Sequence, residues 1–400
     1  MIYKKMPLDL QKGPNREEHR RRQRFPSNTS SYSSANSSQV IIEIPVQSEV
    51  IDMETSYLKF DMVAVDTGAG NGALSFQDWC ASSWIRDLRI YDFAGNQIGD
   101  NINHYNGVYR VLAEMKSNNE SNTSYLNVLE GASAGGVADA ETSRQYCHQI
   151  RLHIFGLKDY FPANKMGGLR IEIDMEQGHQ VVVSDTNEDV DYTISNVFFV
   201  CDLIKLKDEV ETALDRQIAS GGFEIHYESY VNRLTTIDGS STTLNLGVLN
   251  GALKDVQAFM IQDDERTAIV DYWDNMSRNG LTSYRFKLGS QDLTESTIAV
   301  SATRAAEYVM EYLKSQKINP LSDIGDSALT LAELLSDRFV IGQRADRSNN
   351  PDELSSVRDN QQNRLELELN FSGGDSASLY TCAHLDKRLI IMGNRQFKNQ

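Results

Sequence analysis

The sequence predicts an all-β chain built as two successive sandwiches, and three observations carry that prediction. Each half holds about seven or eight short segments in which apolar and polar residues alternate, the period of a strand with one buried face. Breaks rich in glycine, asparagine and serine separate these segments. Between the two sets, Leu206, Val210, Ala213, Leu214 and Ile218 recur at helical spacing, and Gly221-Gly222 ends that run. It reads as a helix joining one sandwich to the next.

In order, the first strand is Val40-Ile41-Ile42-Glu43-Ile44-Pro45-Val46, with Pro45 placing it at an edge or a strand end. Tyr57 to Met62 alternates cleanly, and a loop with Gly68, Gly70 and Gly72 follows. Trp84 to Tyr91 is the next strand, closed by Gly95-Asn96. From His104, residues Tyr105, Val108, Val111, Leu112 and Met115 share one helical face. A polar, small-residue stretch from Ser117 to Arg144 predicts a surface loop. Strands resume at Gln149–Phe155, at Leu169–Glu176 with every second residue charged, at Gln180–Ser184 and at Tyr192–Leu203.

The second half opens with Phe223-Glu224-Ile225-His226-Tyr227 and continues with Val256–Ile261. An acidic stretch around Asp263–Met276 reads as helical. Tyr284, Phe286 and Leu288 alternate with Ser283, Arg285 and Lys287, so this segment is a strand, stopped by Gly289-Ser290-Gln291-Asp292. Beyond Ser301, read as an N-cap, the residues Ala302, Ala305, Ala306, Val309, Met310 and Leu313 form the stripe expected to be buried on a short helix. A second short helix is expected at Ser327–Leu335. Strands at Arg338–Gly342, Arg364–Phe371, Ser378–His384 and Arg388–Met392 complete the chain.

Charge separates the N-terminus from the rest. Lys4, Lys5, Lys12, Arg16, Arg20, Arg21, Arg22 and Arg24 stand against Asp9, Glu17 and Glu18, giving residues 1–26 a charge of +5. Subtracting that from the chain's −17 leaves −22 on the remainder, a body that repels nucleic acid. The tract Ser27–Ser38, almost wholly Ser, Asn and Thr, cannot bury enough apolar area to offset its ordering entropy. Residues 1–38 are therefore expected to be a basic arm and linker, flexible or ordered only against a partner, and residues 1–26 to be dispensable for the fold. The four cysteines are scattered and read as small buried hydrophobes, with no disulfide framework or structural zinc. No apolar core of a signal peptide and no membrane-length apolar run is present, so synthesis and retention inside a cell are expected.

From residue 39 to 395 the succession Val50–Phe60, Trp84–Tyr91, Tyr105-Asn106-Gly107-Val108-Tyr109, Leu152–Leu157, Tyr160-Phe161-Pro162, Leu169–Ile173, Tyr192–Val197, Ser229–Arg233, Tyr284–Gln291 and Phe339–Gly342 resembles the double jelly-roll major capsid proteins. The similarity is to the hexon-like type of adintoviruses, Polintons and polinton-like viruses. It implies two consecutive eight-stranded jelly rolls, at 39–205 and 222–400, joined by a linker helix at 206–221. It also implies a homotrimeric, pseudo-hexagonal tile in the icosahedral shell of a double-stranded DNA virus. Such a tile has neighbouring capsomers, a penton and minor capsid proteins as partners, and neither cofactor nor catalysis. The N-terminus then faces the particle interior, where Lys4, Lys5, Lys12, Arg16, Arg20, Arg21, Arg22 and Arg24 are the candidates for touching packaged DNA or an inner membrane. The alternatives are a minor capsid component such as a penton, or another β-sandwich adhesin or lattice protein.

Other patterns read as ordinary structure. Gly131-Ala132-Ser133-Ala134-Gly135 lacks the strand-to-helix context of a nucleophile elbow. Gly68-Ala69-Gly70-Asn71-Gly72 lacks the lysine and helix of a phosphate cradle. Asp185 to Val190 begins like a calcium loop, but Val190 replaces the turn glycine and Asn196 the terminal glutamate. His148 and His153 are expected on opposite faces of one strand, in core and surface roles.

Overall fold

The alternating segments assemble into two sets of antiparallel sheets. The structure, a computed structural model, describes residues 10, 12–13, 15–35, 39–46, 48–66, 73–114, 125–132, 137–184, 189–249, 251–265, 272–294, 296–301, 303–316, 331–345, 364–393 and 396–399. Lys4, Lys5, Ala302, Ser133, the Gly68–Gly72 loop and Asp185 to Glu188 lie outside them.

The first set comprises β1 (Glu17–Pro26), β2 (Ser31–Ser33), β3 (Gln39–Pro45), β4 (Val50–Asp66), β5 (Leu74–Phe76), β6 (Ile85–Asp92), β7 (Arg144–His148), β8 (Tyr160–Phe161), β9 (Gly168–Met175), β10 (Val182–Ser184) and β11 (Val190–Leu206). One sheet runs β1-β11-β4-β7, with β2 on β11 and β8 on β4; facing elements are β3-β9-β6 and the pair β10-β5. Inserted are α1 (Cys80–Ser83), α2 (Tyr105–Glu114) and α3 (Tyr125–Glu130). The sharp alternation of β9 turns Leu169, Ile171, Ile173 and Met175 into the core, packed over Val40, Ile42 and Ile44 of β3. On its other face Arg89 pairs with Asp174, and Arg170 with Glu172.

Helix α4 (Asp208–Ser220) follows, starting with Asp208, Glu209 and Glu211 in its first turn, where the macrodipole favours acids. Leu214 is buried, Val210 and Ile218 are half-covered, and Gly221-Gly222 stop it. The second set comprises β12 (Phe223–Ile237), β13 (Thr242–Val248), β14 (Ala252–Gln262), β15 (Leu281–Leu288), β16 (Gln291–Asp292), β17 (Ile298–Ala299), β18 (Val340–Arg344), β19 (Arg364–Phe371), β20 (Ala377–Met392) and β21 (Gln396–Asn399), with helices α5 (Ala306–Ser315) and α6 (Leu331–Leu335). Its sheets run β12-β20-β14-β18, with β21 on β20, and β13-β19-β15-β16, with β17 on β15. Among the described residues, no strand of one set pairs with a strand of the other.

The two sandwiches nonetheless share apolar packing. Phe223, Ile225, Tyr227 and Tyr230 of β12, with Leu389 and Ile391 of β20, belong to the core of the first set. Around them, Asn232 Nδ2 donates to Asn103 O at 2.6 Å and Trp273 Nε1 to Gln180 O at 3.1 Å. Gly107 brings α2 against Trp273 and Phe259; a Cβ there would lie 3.0 Å from the indole.

Several expected elements differ. The strand near 149–155 is instead β7 at 144–148, followed by a 3-10 turn at His153–Gly156. His153 adopts φ 61, a left-handed geometry that ends extension. His148 and His153 are both fully covered, so neither is at the surface. Asp263–Met276 is not one helix: 3-10 turns at Asp263–Glu265 and Tyr272–Asp274 flank residues outside the described set. The Ser117–Arg144 loop contains α3. The expected last two strands are one, β20, in which Asp386-Lys387 stay paired with Glu228 and Tyr227 of β12.

Helix α5 exists but is rotated and shorter than expected. It begins at Ala306, with Ala305 rather than Ser301 in the cap position. Its buried side chains are Tyr308, Tyr312 and Ser315, while Met310 is 37% exposed and Val309 and Leu313 are only half-covered. Tyrosine explains the shift: each ring buries a large apolar face while its hydroxyl finds a partner. Tyr308 Oη donates to Val340 O at 3.0 Å. The ring stacks on Phe339 at 5.4 Å. Tyr308→Ala should therefore destabilise the protein by about 3–5 kcal/mol, whereas Met310→Asp should stay within about 0.5 kcal/mol of wild type. Urea unfolding of the two variants checks the face assignment.

Candidate assembly surface

The basic N-terminus is not a free arm over residues 17–33. Strand β1 pairs antiparallel with β11 from Glu17↔Leu206 to Pro26↔Phe198, and β2 adds Ser31–Ser33 to the same strand. A run of Arg residues does not read as a strand because its apolar signal is a single residue, Phe25, which is buried. The Ser/Asn tract is likewise anchored by one aromatic. Tyr32 is buried, and its Oη receives Thr29 N–H at 3.0 Å and donates to Asn28 Oδ1 at 2.7 Å.

Carboxylates on the sheet supply the rest of the attraction. Asp52 is 1% exposed and Asp202 6%, and both face the strand. Lys12 Nζ lies 2.6 Å from Asp52 and 2.6 Å from Glu54. The Arg20 guanidinium bridges Asp52 (3.4 Å), Asp202 (3.3 Å) and Glu17 (3.2 Å). Arg22 reaches Asp202 at 2.9 Å. On the opposite side of the strand, Arg21 grips Glu49 through Nε and Nη2 at 2.6 and 2.9 Å, a bidentate fork. Tyr160 Oη donates to Glu17 and receives Arg20 Nη2–H.

The charges respond accordingly. Burial alone lowers the Lys12 pKa, but its bonds to Asp52 and Glu54 outweigh it and the net shift is upward. Arg20 behaves the same way through Glu17 and Tyr160. Arg21 holds Glu49 below the ordinary carboxylate range, and Glu17 is lowered too, with bonds from Tyr160 and Arg20 overcoming its partial burial. Of the eight candidate cations, then, Lys12, Arg20, Arg21 and Arg22 hold the chain's own acids. Arg16 and Arg24 have no carboxylate partner among the described residues, and Arg24 is exposed.

Strand β1 lies at the end of its sheet, so its outer backbone edge is unpaired among the described residues. Strands β7 and β18 also end sheets. Close to β7, α3 exposes Val128 (70%) and Leu129 (42%), large apolar side chains that water disfavours.

No protein-family model matches the chain, and no curated protein matches its sequence. Solved structures do match in shape. The Faustovirus major capsid protein superposes with a TM-score of 0.67 at 9% identity, over 95% of this chain and 91% of its own. The PBCV-1 virus capsid gives 0.62 at 12% identity, over 95% and 96%. The mavirus major capsid protein gives 0.53 at 10%, over 95% and 90%. The chain therefore has the double jelly-roll fold.

Because β1 is part of a sheet, deleting residues 1–26 should not leave the fold intact, as a flexible arm would. It strands Asp52 and Asp202 under cover without their cations, a loss on the order of 3–5 kcal/mol, readable as a lower denaturation midpoint. The depressed Glu17 and Glu49 set a pH dependence as well. Their contribution is fully present above the ordinary carboxylate value of about 4.3 and is lost as pH falls through their lower folded values. Hydrogen exchange of the β1 amides should show the strand loosening in that acid window, ahead of β4.

Proposed function

We propose that this chain is the major capsid protein of an icosahedral double-stranded DNA virus, and that three copies form a pseudo-hexagonal tile. The observation that carries the reading is the match of nearly the whole chain to nearly the whole of several capsid proteins. The two jelly rolls are taken as residues 39–205, extended by the N-terminal strand, and 222–400, with 206–221 between them. The sheet ends at β1, β7 and β18, unpaired among the described residues, and the apolar tip of α3 are surfaces that neighbouring copies would cover. Neighbouring capsomers, a penton and minor capsid proteins are the partners this role requires. The role is structural and non-catalytic, and its place is the virion.

The N-terminal strand is proposed to face the particle interior, since a cationic edge on a body of charge −22 has its anionic partners there. Half of the eight N-terminal cations already hold acids of this chain, so exposed Arg24, with Arg16, Lys4 and Lys5, is what the N-terminus offers packaged DNA or a membrane surface.

Sedimentation equilibrium tests the oligomer. The expected mass is about three times the 45.0 kDa chain. A stable 45.0 kDa monomer at micromolar concentration would sink the proposal. Electron microscopy of the concentrated protein should show hexagonal tiles or shells.

A further inference from the structure

Between the two rolls lies a cavity of about 280 Å3, at the small end of ordinary ligand pockets. One wall is apolar, formed by Trp79, Leu112, Leu126 and Leu152. The other is polar, with Glu228 and Asp255 from β12 and β14, His384 from β20, and Gln316 just past α5. Arg151, which is exposed, also lines it. A larger cleft of about 410 Å3 at Gln262, Arg278 and Asp375 is open and mostly polar, and Asn279 in its lining is already bonded to Asp375 and Gln262.

We propose that the inter-roll cavity binds a small amphiphile with a carboxylate head, of the chemistry of a medium-chain fatty acid, with its chain on the apolar wall and its head toward Gln316, His384 and Arg151.

Two buried nitrogens argue for an acceptor head. Gln316 Nε2 has no hydrogen-bond partner among the described residues. His384 is 3% exposed; its Nδ1 bonds Asp255 Oδ2 at 2.8 Å, and its Nε2 lies 3.3 Å from Glu228 Oε2 without the geometry of a hydrogen bond. Such unsatisfied polar groups are costly unless water or a ligand completes them. The groups facing His384 are Asp255, Glu228 and Tyr230, whose ring stacks on it at 4.5 Å. Burial alone lowers the imidazole pKa, but Asp255 and Glu228 outweigh it and the net shift is upward, toward the charged form in which both ring nitrogens donate.

Both acids already have cations. Lys254 reaches Glu228 at 2.8 Å, and His384 holds Asp255. A cationic ligand would compete with these, whereas an anion meets the donors left over.

The test uses octanoate, with octylamine and octanol as cationic and neutral matches, titrated calorimetrically into the full-length protein. It needs no assembled shell, so it stands or falls apart from the capsid reading. Octanoate should bind, and both controls should bind at least tenfold more weakly. Leu126→Trp, which fills the apolar end, should abolish binding, and Gln316→Leu, at the half-buried end of α5, should weaken it about tenfold while keeping the wild-type melting transition. Absence of octanoate binding at millimolar concentration overturns the proposal. So does equal binding of octylamine or octanol, or unchanged affinity in a folded Gln316→Leu protein.

Discussion

The junction between the two sandwiches is the constraint on which the remaining structure depends. A sheet face must be covered, and the outer face of β12 and β20 is covered by the first roll. Phe223, Ile225, Tyr227, Tyr230, Leu389 and Ile391 thus act as core for a unit other than their own. The two rolls are held side by side by the same burial that drives each to fold, so they form one plate rather than beads on a linker. Gly107 permits the close approach of α2 to Trp273 and Phe259, where a Cβ would sit 3.0–3.3 Å from both rings and force them to give way.

That junction also carries an unusual share of polar chemistry. His153 lies under Tyr227 at 4.6 Å, with both ring nitrogens unpartnered among the described residues and its pKa pulled down by burial to about 3. His104 meets Tyr380 edge-on at 5.5 Å across the same boundary. His384 stands in the opposite condition, drawn toward the charged form by two acids despite equal burial. A polar seam leaves packing less complete than an apolar one, and the cavity lies where β12, β14 and β20 meet α5 and the first roll.

At the N-terminus the governing quantity is the cost of burying Asp52 and Asp202. An unpaired carboxylate at such positions is strongly destabilising, so Lys12 and Arg20 are integral to the sheet. Exposure sets their effect: Arg22 lies 61% in solvent and adds little, while Arg20 bridges both acids. Charged edge strands of this kind also resist unwanted pairing, so β1 closes the sheet against aggregation while leaving it open to a specific neighbour.

By itself, the sequence determined the all-β class, the two-fold repetition of the sandwich, the linker helix and most of the interior strands. Strands such as β9 and β15 were legible because burial on one face writes a period of two into the residues. Helix α2 was legible for the same reason at its own period. What the sequence could not express was any element stabilised by residues far along the chain. The edge strand β1 is held by Asp52, Glu49 and Asp202, so its own composition reads as disorder. The face of α5 was decided by Phe339 and the carbonyl of Val340, which reward Tyr308, with Tyr312 stacked on it, over the alanine stripe. The cavity gathers side chains from β12, β14, β20, α2 and α3, and no spacing announces it. Periodicity records burial along one segment; ion pairs, helix rotation and cavities depend on which segments meet, and only the tertiary structure decides that.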